Sequence, residues 1–300
     1  MISGIPLAEA AAVLPLPLAK LLDGLSECEW LRVEELRLRR RYPMSVLLSD
    51  GERPVGGAAI TERDLRDVLE AASRASVHTV LEQVKRGFLT LRGGHRIGLC
   101  GTVNYHEGEI RSLRYLSSLS IRVARAVEGQ ANGLIPQIVD NGRFHNTLVI
   151  GAPGSGKTTL LRELIRVLSD GHGTKAFRVG VADERGEIAA LWQGEPQFRV
   201  GRRTDILDGC PKAEGLLMLL RGMNPQILAV DEVTHPDDVT AMLEAVGCGA
   251  GLLATAHGEG LSDLERRPVY RAMMEEGIFR RVIVLSCRDG RRIARVEVLS

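Results

Sequence analysis

The sequence predicts an α/β protein in two parts: a smaller amino-terminal α+β domain over residues 1–130 and a larger domain over residues 131–300. Three observations support this prediction. A glycine-rich loop stands between an apolar run and an amphipathic stretch near the middle of the chain. Short apolar runs then alternate with helical stretches, and one of those runs ends in two acidic residues. Strands alternating with helices are typical of a parallel sheet covered on both faces.

The amino-terminal part shows a mixed pattern. The segment Thr61 to Asp64 resembles a capping box, which would open a helix whose apolar face runs from Leu65 to Val84 and stops near Gly87. The apolar stretch 8–22 contains prolines and charges, so it predicts a core segment and not a membrane span. Alternating patterns and turn residues predict strands, which cover residues 35–39, 44–48, 88–91 and 97–103.

The turn residues at 128–133 predict a connection that leads into the larger domain, where the pattern changes. Apolar residues at helical spacing over residues 157–168 predict a helix. The segment 284–298, with Asp289 and Gly290 in its middle, predicts a closing hairpin. The predicted strands cover residues 147–150, 177–182, 227–230, 251–254 and 282–285.

The glycine-rich loop matches the Walker A phosphate-binding pattern at every required position. Glycines let successive backbone N–H groups surround phosphate oxygens, and the following helix directs its positive end toward the anion. We expect Lys157 to reach the β- and γ-phosphates of ATP and Thr158 to bind Mg²⁺. The predicted nucleotide-contacting residues are Gly151, Ala152, Pro153, Gly154, Ser155, Gly156, Lys157, Thr158 and Thr159.

The apolar run 227–230 followed by Asp231 and Glu232 has the Walker B form. We expect Asp231 to hold Mg²⁺ and Glu232 to polarise the attacking water. A glutamate directly after the aspartate indicates the RecA-like branch of P-loop NTPases, in which an additional strand lies between the two Walker strands. We assign that position to residues 251–254.

Three further features are candidates for catalysis. His257 follows the additional strand and is either a sensor of the γ-phosphate or a cap for a local backbone group. Glu184 and Glu187 lie in an acidic segment after the second strand, where they would order water or Mg²⁺; a solvated loop with internal ion pairs is the alternative. Arg221 represents the arginines that would stabilise phosphoryl charge across a subunit boundary, and the sequence does not single out one of them.

Composition narrows the function classes. The net charge is +1 and aromatic residues make up 4% of the chain, so neither a bulk positive field nor interleaved stacking residues predict nucleic-acid binding. Five cysteines without a CxxC pair indicate reduced thiols in a cytosolic protein. The alternatives to an ATPase motor for transport are a nucleic-acid-dependent RecA-like ATPase or single-strand binder, and a non-catalytic nucleotide-dependent scaffold.

The order of Walker A, acidic segment, Walker B and Thr-x-His box resembles the superfamily of ATPases that drive type II and type IV secretion and pilus machines. Four further blocks are similar to the stage III sporulation protein AA family: residues 93–98, 181–189, 200–208 and 210–215. Gly186 stands where we expect serine in that family. The acidic segment begins Asp-Glu-Arg and not Glu-Asp-Pro as in pilus motors, so their catalytic base is not transferred to this chain.

This resemblance implies a cytoplasmic ATPase that forms a homo-oligomer, a hexamer, and uses ATP and Mg²⁺. It implies a position at the inner face of the cell membrane in the mother cell of an endospore-forming bacterium. There the ring would power a channel complex whose other components are membrane proteins. The roles carried over are those of the Walker residues Lys157, Thr158, Asp231 and Glu232. His257 would form the histidine box, and Glu184 and Glu187 the acidic box.

Overall fold

A computed structural model describes residues 6–73, 87–106, 109–131, 133–288 and 291–299. The chain divides into two compact units. The first comprises Met1–Arg125 together with Ala190–Gln197, and the second comprises Ala126–Ala189 together with Phe198–Ser300. The excursion Ala190–Gln197 is thus part of the first unit although it lies far along the chain. Within the described ranges, no helix combines the length and the apolar character needed to cross a membrane.

Two helices of the first unit begin with a capping box. The Ser26 hydroxyl accepts a hydrogen bond from the Glu29 backbone N–H at 3.4 Å, and the Glu29 carboxylate accepts one from the Ser26 N–H at 2.8 Å. Thr61 and Asp64 form the same reciprocal pair, which confirms the predicted capping box. The part of that predicted helix that reaches Val84 lies outside the described residues. The helices are α1 (Pro6–Ala11), α2 (Leu16–Ala19), α3 (Glu27–Arg32) and α4 (Glu62–Ser73), with a 3-10 turn at Lys20–Gly24.

Six strands of the first unit form one antiparallel sheet in the order β3-β2-β1-β6-β5-β4. The sequence pattern gives the ranges of four strands and none for β3 and β6. β3 contains a proline and three glycines, residues that disfavour a strand interior and are tolerated at a sheet edge. The strands are β1 (Glu35–Arg39), β2 (Pro43–Leu48), β3 (Gly51–Ala59), β4 (Phe88–Thr90), β5 (Arg96–His106) and β6 (Glu109–Arg122).

The core of the first unit lies against one face of this sheet. Leu36 on β1 pairs in register with Val46 on β2 and with Ile121 on β6, and all three side chains are fully buried. The predicted core segment 8–22 contributes Leu22, whose backbone carbonyl accepts a hydrogen bond from the Trp30 indole at 3.0 Å. Alternate side chains of the strands are therefore buried, and they pack with apolar side chains of the first helices, as the sequence predicts.

Seven strands of the second unit form a sheet in the order β11-β10-β12-β13-β9-β14-β15. Adjacent strands are parallel from β11 to β14, and β14 pairs with β15 antiparallel. β13 lies between β12 and β9, which confirms the additional strand and the RecA-like P-loop fold. The strands are β9 (Thr147–Gly151), β10 (Val179–Asp183), β11 (Thr204–Asp208), β12 (Ile227–Val230), β13 (Gly251–His257), β14 (Arg281–Arg288) and β15 (Arg291–Val298), beside the short pair β7 (Val139–Asp140) and β8 (Arg143–Phe144).

Helices connect these strands and complete the core. The closing hairpin is confirmed by the β14–β15 pairing, while its turn at Asp289 and Gly290 lies outside the described residues. Strands β9, β10 and β12 are buried along their whole length, as expected for central parallel strands. The helices are α5 (Ile135–Ile138), α6 (Lys157–Asp170), α7 (Lys212–Met223), α8 (Pro236–Gly247), α9 (Leu261–Leu264) and α10 (Pro268–Glu275).

Candidate nucleotide-binding site

The glycine-rich loop joins the carboxyl end of β9 to the start of α6. Gly156 at the helix N-cap has φ 96°, a left-handed conformation that glycine adopts without strain. A Cβ at Gly151 would lie 2.5 Å from the Ser155 hydroxyl oxygen and 3.1 Å from the Leu285 Cβ, so this loop conformation has room only for glycine at position 151. The Ser155 hydroxyl is buried and has no hydrogen-bond partner among the described residues. A phosphate oxygen held in this loop would supply that hydrogen-bond partner, so the loop is suited to bind a phosphate group.

Lys157, the first residue of α6, is 5% exposed. Its ammonium donates to the Ala152 carbonyl at 3.1 Å and lies 2.9 Å from Nδ1 of His257. Burial lowers the pKa of Lys157, and the nearby carboxylates of Glu232 and Asp231 raise that pKa in part. The cation is therefore held at the mouth of the loop, between a backbone carbonyl and the imidazole at the end of β13.

Hydroxyl and carboxylate groups from three elements meet beside Lys157. The Thr158 hydroxyl donates to one carboxylate oxygen of Asp231 at 2.7 Å, and the Thr255 hydroxyl donates to the other oxygen. The Thr255 oxygen also accepts the backbone N–H of Glu232 at 2.8 Å. Thr158 and Asp231 are the predicted Mg²⁺ ligands. Their oxygens are of the hard type that Mg²⁺ prefers, and few protein ligands suffice when phosphate and water complete the shell.

Glu232 is held in a strained and well-connected position. Its φ of 51° places a non-glycine residue in the left-handed region, where strain is characteristic of functional sites. One carboxylate oxygen lies 2.8 Å from Nε2 of His257, and the other accepts from Arg185 at 3.0 Å. The Lys157 ammonium has only protons to donate, so Nδ1 of His257 accepts and Nε2 carries the proton toward Glu232.

The acidic box lies at the same edge of the sheet. A small cleft there is lined by Asp183, Glu184, Arg185, Glu187, Lys212, Asp231 and Glu232. Glu184 forms an ion pair with Lys212, whose side chain is 7% exposed, while the Glu187 backbone N–H donates to Asp183. The structure therefore brings Glu184 and Glu187 together with the Walker B acids.

Asp183 and Arg162 fix the backbone of the acidic box. The buried Asp183 carboxylate accepts backbone N–H groups of Glu187, Ile188 and Ala189, and burial raises the pKa of this carboxyl group. The Arg162 guanidinium donates to the carbonyls of Ile188 and Glu187 at 2.6 and 2.7 Å. Burial lowers the pKa of Arg162 to about 10. Asp183 thus holds the backbone N–H groups of residues 187–189, and Arg162 holds the carbonyls of residues 187 and 188.

Sequence reasoning gave no site role to Arg162, Lys212 or Thr255, although Thr255 begins the Thr-x-His box and Lys212 lies in a family block. Arg162 lies four residues after Thr158, so its helical spacing from the loop is the only sequence signal for it. Arg162 also stacks on the Phe198 ring, with its guanidinium carbon 3.7 Å from the ring centroid. This contact joins residues far apart in sequence, which spacing does not reveal.

The structure does not bring Arg221 to the Walker residues of the same chain. Arg221 lies in the last turn of α7, is 72% exposed, and is 3.7 Å from the Glu244 carboxylate. The residues after α7 lead into the amino end of β12, whereas Asp231 follows its carboxyl end. A role for Arg221 toward a bound nucleotide therefore requires a neighbouring copy of the chain.

The sheet order, the phosphate-binding loop and the acidic strand ends define a P-loop protein with the fold of the secretion ATPases. The X-ray structure of the Legionella pneumophila ATPase DotB matches with a TM-score of 0.63 and 18% identity, over 95% of this chain and 81% of that one. The crystal structure of the pilus retraction motor PilT with bound ADP matches with a TM-score of 0.59 and 16% identity, over 89% and 79%. At these identities the likeness shows the fold alone.

The chain belongs to the family described as "Sporulation stage III, protein AA", which matches residues 8–296. It is 41% identical over 283 residues to the "Stage III sporulation protein AA" of Bacillus subtilis (strain 168). This alignment covers 94% of the chain and 92% of its relative. The family resemblance carried by the sequence blocks is confirmed.

Proposed function

We propose that this chain binds ATP with Mg²⁺ and hydrolyses it as the motor of a membrane transport complex during endospore formation. The observation that carries the proposal is the continuous set of contacts from Lys157 through His257 to Glu232. It lies beside the hydrogen-bonded pair Thr158 and Asp231. Phosphate binding, Mg²⁺ binding and water activation thereby have side chains of suitable chemistry at one edge of one sheet.

Each group has a defined task in this proposal. Lys157 and the loop N–H groups bind the β- and γ-phosphates, and Thr158 and Asp231 hold Mg²⁺, which neutralises charge on the phosphate oxygens. The Glu232 carboxylate orients the attacking water and accepts its proton. His257 touches both Lys157 and Glu232, so loss of the γ-phosphate would change its contacts and report hydrolysis.

Glu184 and Glu187 order water and Mg²⁺ from the acidic box. Arg185 limits the freedom of the Glu232 carboxylate, and Lys212 does the same for Glu184. A cation from a neighbouring copy, with Arg221 as one candidate, would stabilise charge on the transferred phosphoryl group. The proposed assembly is therefore a ring of identical chains, a hexamer, acting with membrane proteins at the cytoplasmic face of the membrane.

Dilution tests the assembled motor. ATP hydrolysis per chain is measured over a concentration series, with mass photometry giving the oligomeric state of each sample. We expect activity per chain to fall as the assembly dissociates and to return when the protein is concentrated. Constant activity per chain down to the monomer would contradict a shared site.

Complementation tests the role in sporulation. A gene with Lys157→Ala replaces the native copy in an endospore-forming host, and heat-resistant spores are counted. We expect spore numbers to fall to those of the deletion strain, while Lys20→Ala restores normal numbers because Lys20 is an exposed residue of the first unit, whereas the Walker residues belong to the second. Full sporulation with Lys157→Ala at normal protein level would favour the non-catalytic scaffold.

A further inference from the structure

A second concave surface lies at the opposite edge of the parallel sheet from the phosphate-binding loop. It is an open cleft of about 880 Å³ within the second unit. Its lining includes Asn146, Arg178, Gln226 and Gly251, which directly precede or begin β9, β10, β12 and β13. The nucleotide-binding residues follow the carboxyl ends of the same strands. Within one chain the cleft therefore takes no part in the proposed reaction, and its Arg221 would act only toward a neighbouring copy.

The cleft carries an excess of positive charge on a chain whose net charge is only +1. Arg143, Lys175, Arg178 and Arg221 line it, against the single carboxylate of Glu244. Glu244 lies 3.7 Å from Arg221. Across the described ranges, no carboxylate lies within 4.0 Å of the charged groups of the other three cations. Other arginines of the second unit, such as Arg166, Arg185 and Arg267, do have acidic partners.

The three unpaired cations are exposed, and Arg178 and Lys175 make contacts with uncharged groups. The Arg178 guanidinium donates to the Asn224 carbonyl at 2.9 Å. The Lys175 ammonium lies 5.2 Å from the centroid of the Phe177 ring. These contacts orient the side chains and leave their charge uncompensated. Such a cluster attracts an anionic ligand, and the attraction weakens as salt screens it.

Exposed apolar side chains adjoin the charged lining. Met218 and Met223 on α7 are 58% and 46% exposed, and Leu243 on α8 is 36% exposed. Met218 precedes Arg221 by three residues on the same helix, so the two side chains share a face. Methionine and arginine together are characteristic of protein–protein contact surfaces.

The buried Phe177 ring favours a protein over a nucleic acid as the ligand of the cleft. Phe177 is 4% exposed, and its ring packs edge-to-face on that of Phe144 with 6.4 Å between centroids. A ring buried in this way offers no face on which a base could stack. Glu244 would also repel a phosphate backbone, whereas a peptide can present a basic or amide group to it.

We propose that this cleft is a docking site for an acidic segment of a partner protein that also carries apolar side chains. Carboxylates of the segment pair with Arg143, Lys175 and Arg178, and its apolar side chains cover the exposed methionines. The proposal goes beyond ATP hydrolysis and does not depend on it, because the cleft and the phosphate loop share no residue.

Fluorescence anisotropy with a labelled peptide of repeated Glu-Glu-Leu-Leu blocks tests this proposal. The full chain is compared with the triple variant Arg143→Glu, Lys175→Glu, Arg178→Glu. The matched control is Arg63→Glu, Arg66→Glu, Arg295→Glu, which makes the same change in net charge at exposed arginines outside the cleft. Labelled oligothymidylate is titrated in parallel, and ATP hydrolysis and the unfolding midpoint are measured for each protein.

We expect the peptide to bind the unaltered chain, with affinity that falls as NaCl rises, and the cleft variant to lose at least about tenfold in affinity. The control variant should keep its affinity, and all three proteins should hydrolyse ATP equally. No peptide binding, or equal losses in both triple variants, would overturn the proposal. Tighter, cleft-dependent binding of oligothymidylate would overturn it in favour of a nucleic acid. Because hydrolysis is measured separately, these failures are distinct from a failure of the proposed ATPase.

Discussion

The substitution Glu232→Gln separates nucleotide binding from hydrolysis. Glutamine keeps the size of the side chain, and its amide oxygen can still accept from Nε2 of His257, now 2.8 Å from the carboxylate. The amide nitrogen then faces Arg185, which donates to the second carboxylate oxygen at 3.0 Å. Two donors face each other there, so the side chain loses both its basicity and one of its two partners.

The expected magnitude follows from these contacts. The hydrogen bonds of Lys157 to the Ala152 carbonyl and of Thr158 to Asp231 do not involve Glu232. Affinity for ATP should therefore change by less than about threefold, below 1 kcal/mol. A positioned base contributes roughly 10²–10⁴ in rate. We therefore expect hydrolysis to slow by about 10³, which corresponds to about 4 kcal/mol in activation free energy.

Two assays on the same preparations measure these quantities. Fluorescent-nucleotide titration gives the dissociation constant, and phosphate release at saturating ATP gives the rate. Glu128→Gln is the matched control, because Glu128 makes an exposed ion pair with Arg199 at 3.1 Å, apart from the Walker acids. An unchanged rate for Glu232→Gln would refute its role as the base and transfer that role to the acidic box. A parallel loss of binding would show that Glu232 is structural.

Three more substitutions test the supports of the fold and the site. Arg162→Lys should lower the free energy of unfolding in urea by about 2 kcal/mol, because lysine cannot bond both carbonyls and also stack on the Phe198 ring. The control Arg66→Lys, at an exposed arginine, should leave the free energy of unfolding unchanged. Equal unfolding midpoints for the two variants would refute the role of Arg162 in holding the acidic box. Burial lowers the pKa of His95, so below about pH 6.5 the unfolded chain binds a proton that the folded chain does not, and the free energy of unfolding falls as pH falls. His95→Gln should make this decrease with falling pH smaller. A pH dependence equal to that of the parent chain would contradict this. Thr255→Val should slow hydrolysis at least tenfold by freeing the Glu232 N–H and the Asp231 carboxylate, and an unaltered rate would show that this hydroxyl is dispensable.

Local sequence predicts the parts of the molecule that short segments determine by themselves. The phosphate loop and the capping box at Thr61 depend on residues within a few positions of each other. The buried strands of the second unit are also predictable from sequence, because both faces of the sheet are covered and each strand is therefore a continuous apolar run. The Asp-Glu pair after β12 then predicts the additional strand, and the sheet order confirms it.

Other features depend on contacts that sequence spacing does not contain. β6 is a central strand with a largely polar sequence, and it is stabilised by pairing with β1 and β5 on its two sides. The Glu184–Lys212 pair joins a loop residue to the first residue of α7, 28 positions away. The excursion Ala190–Gln197 belongs to the first unit, and the Gln197 side chain accepts the Gly93 backbone N–H at 2.8 Å. No local pattern predicts which unit such a segment joins.

The measurement that tests the central claim most directly is release of inorganic phosphate from ATP by the purified, assembled chain. It is made with and without Mg²⁺ and compared with Lys157→Ala. The account predicts Mg²⁺-dependent turnover that falls at least about 10²-fold in the variant, because Lys157 is the cation placed at the phosphate loop. No turnover by the unaltered assembly, or equal turnover by the variant at equal folding, would contradict the account.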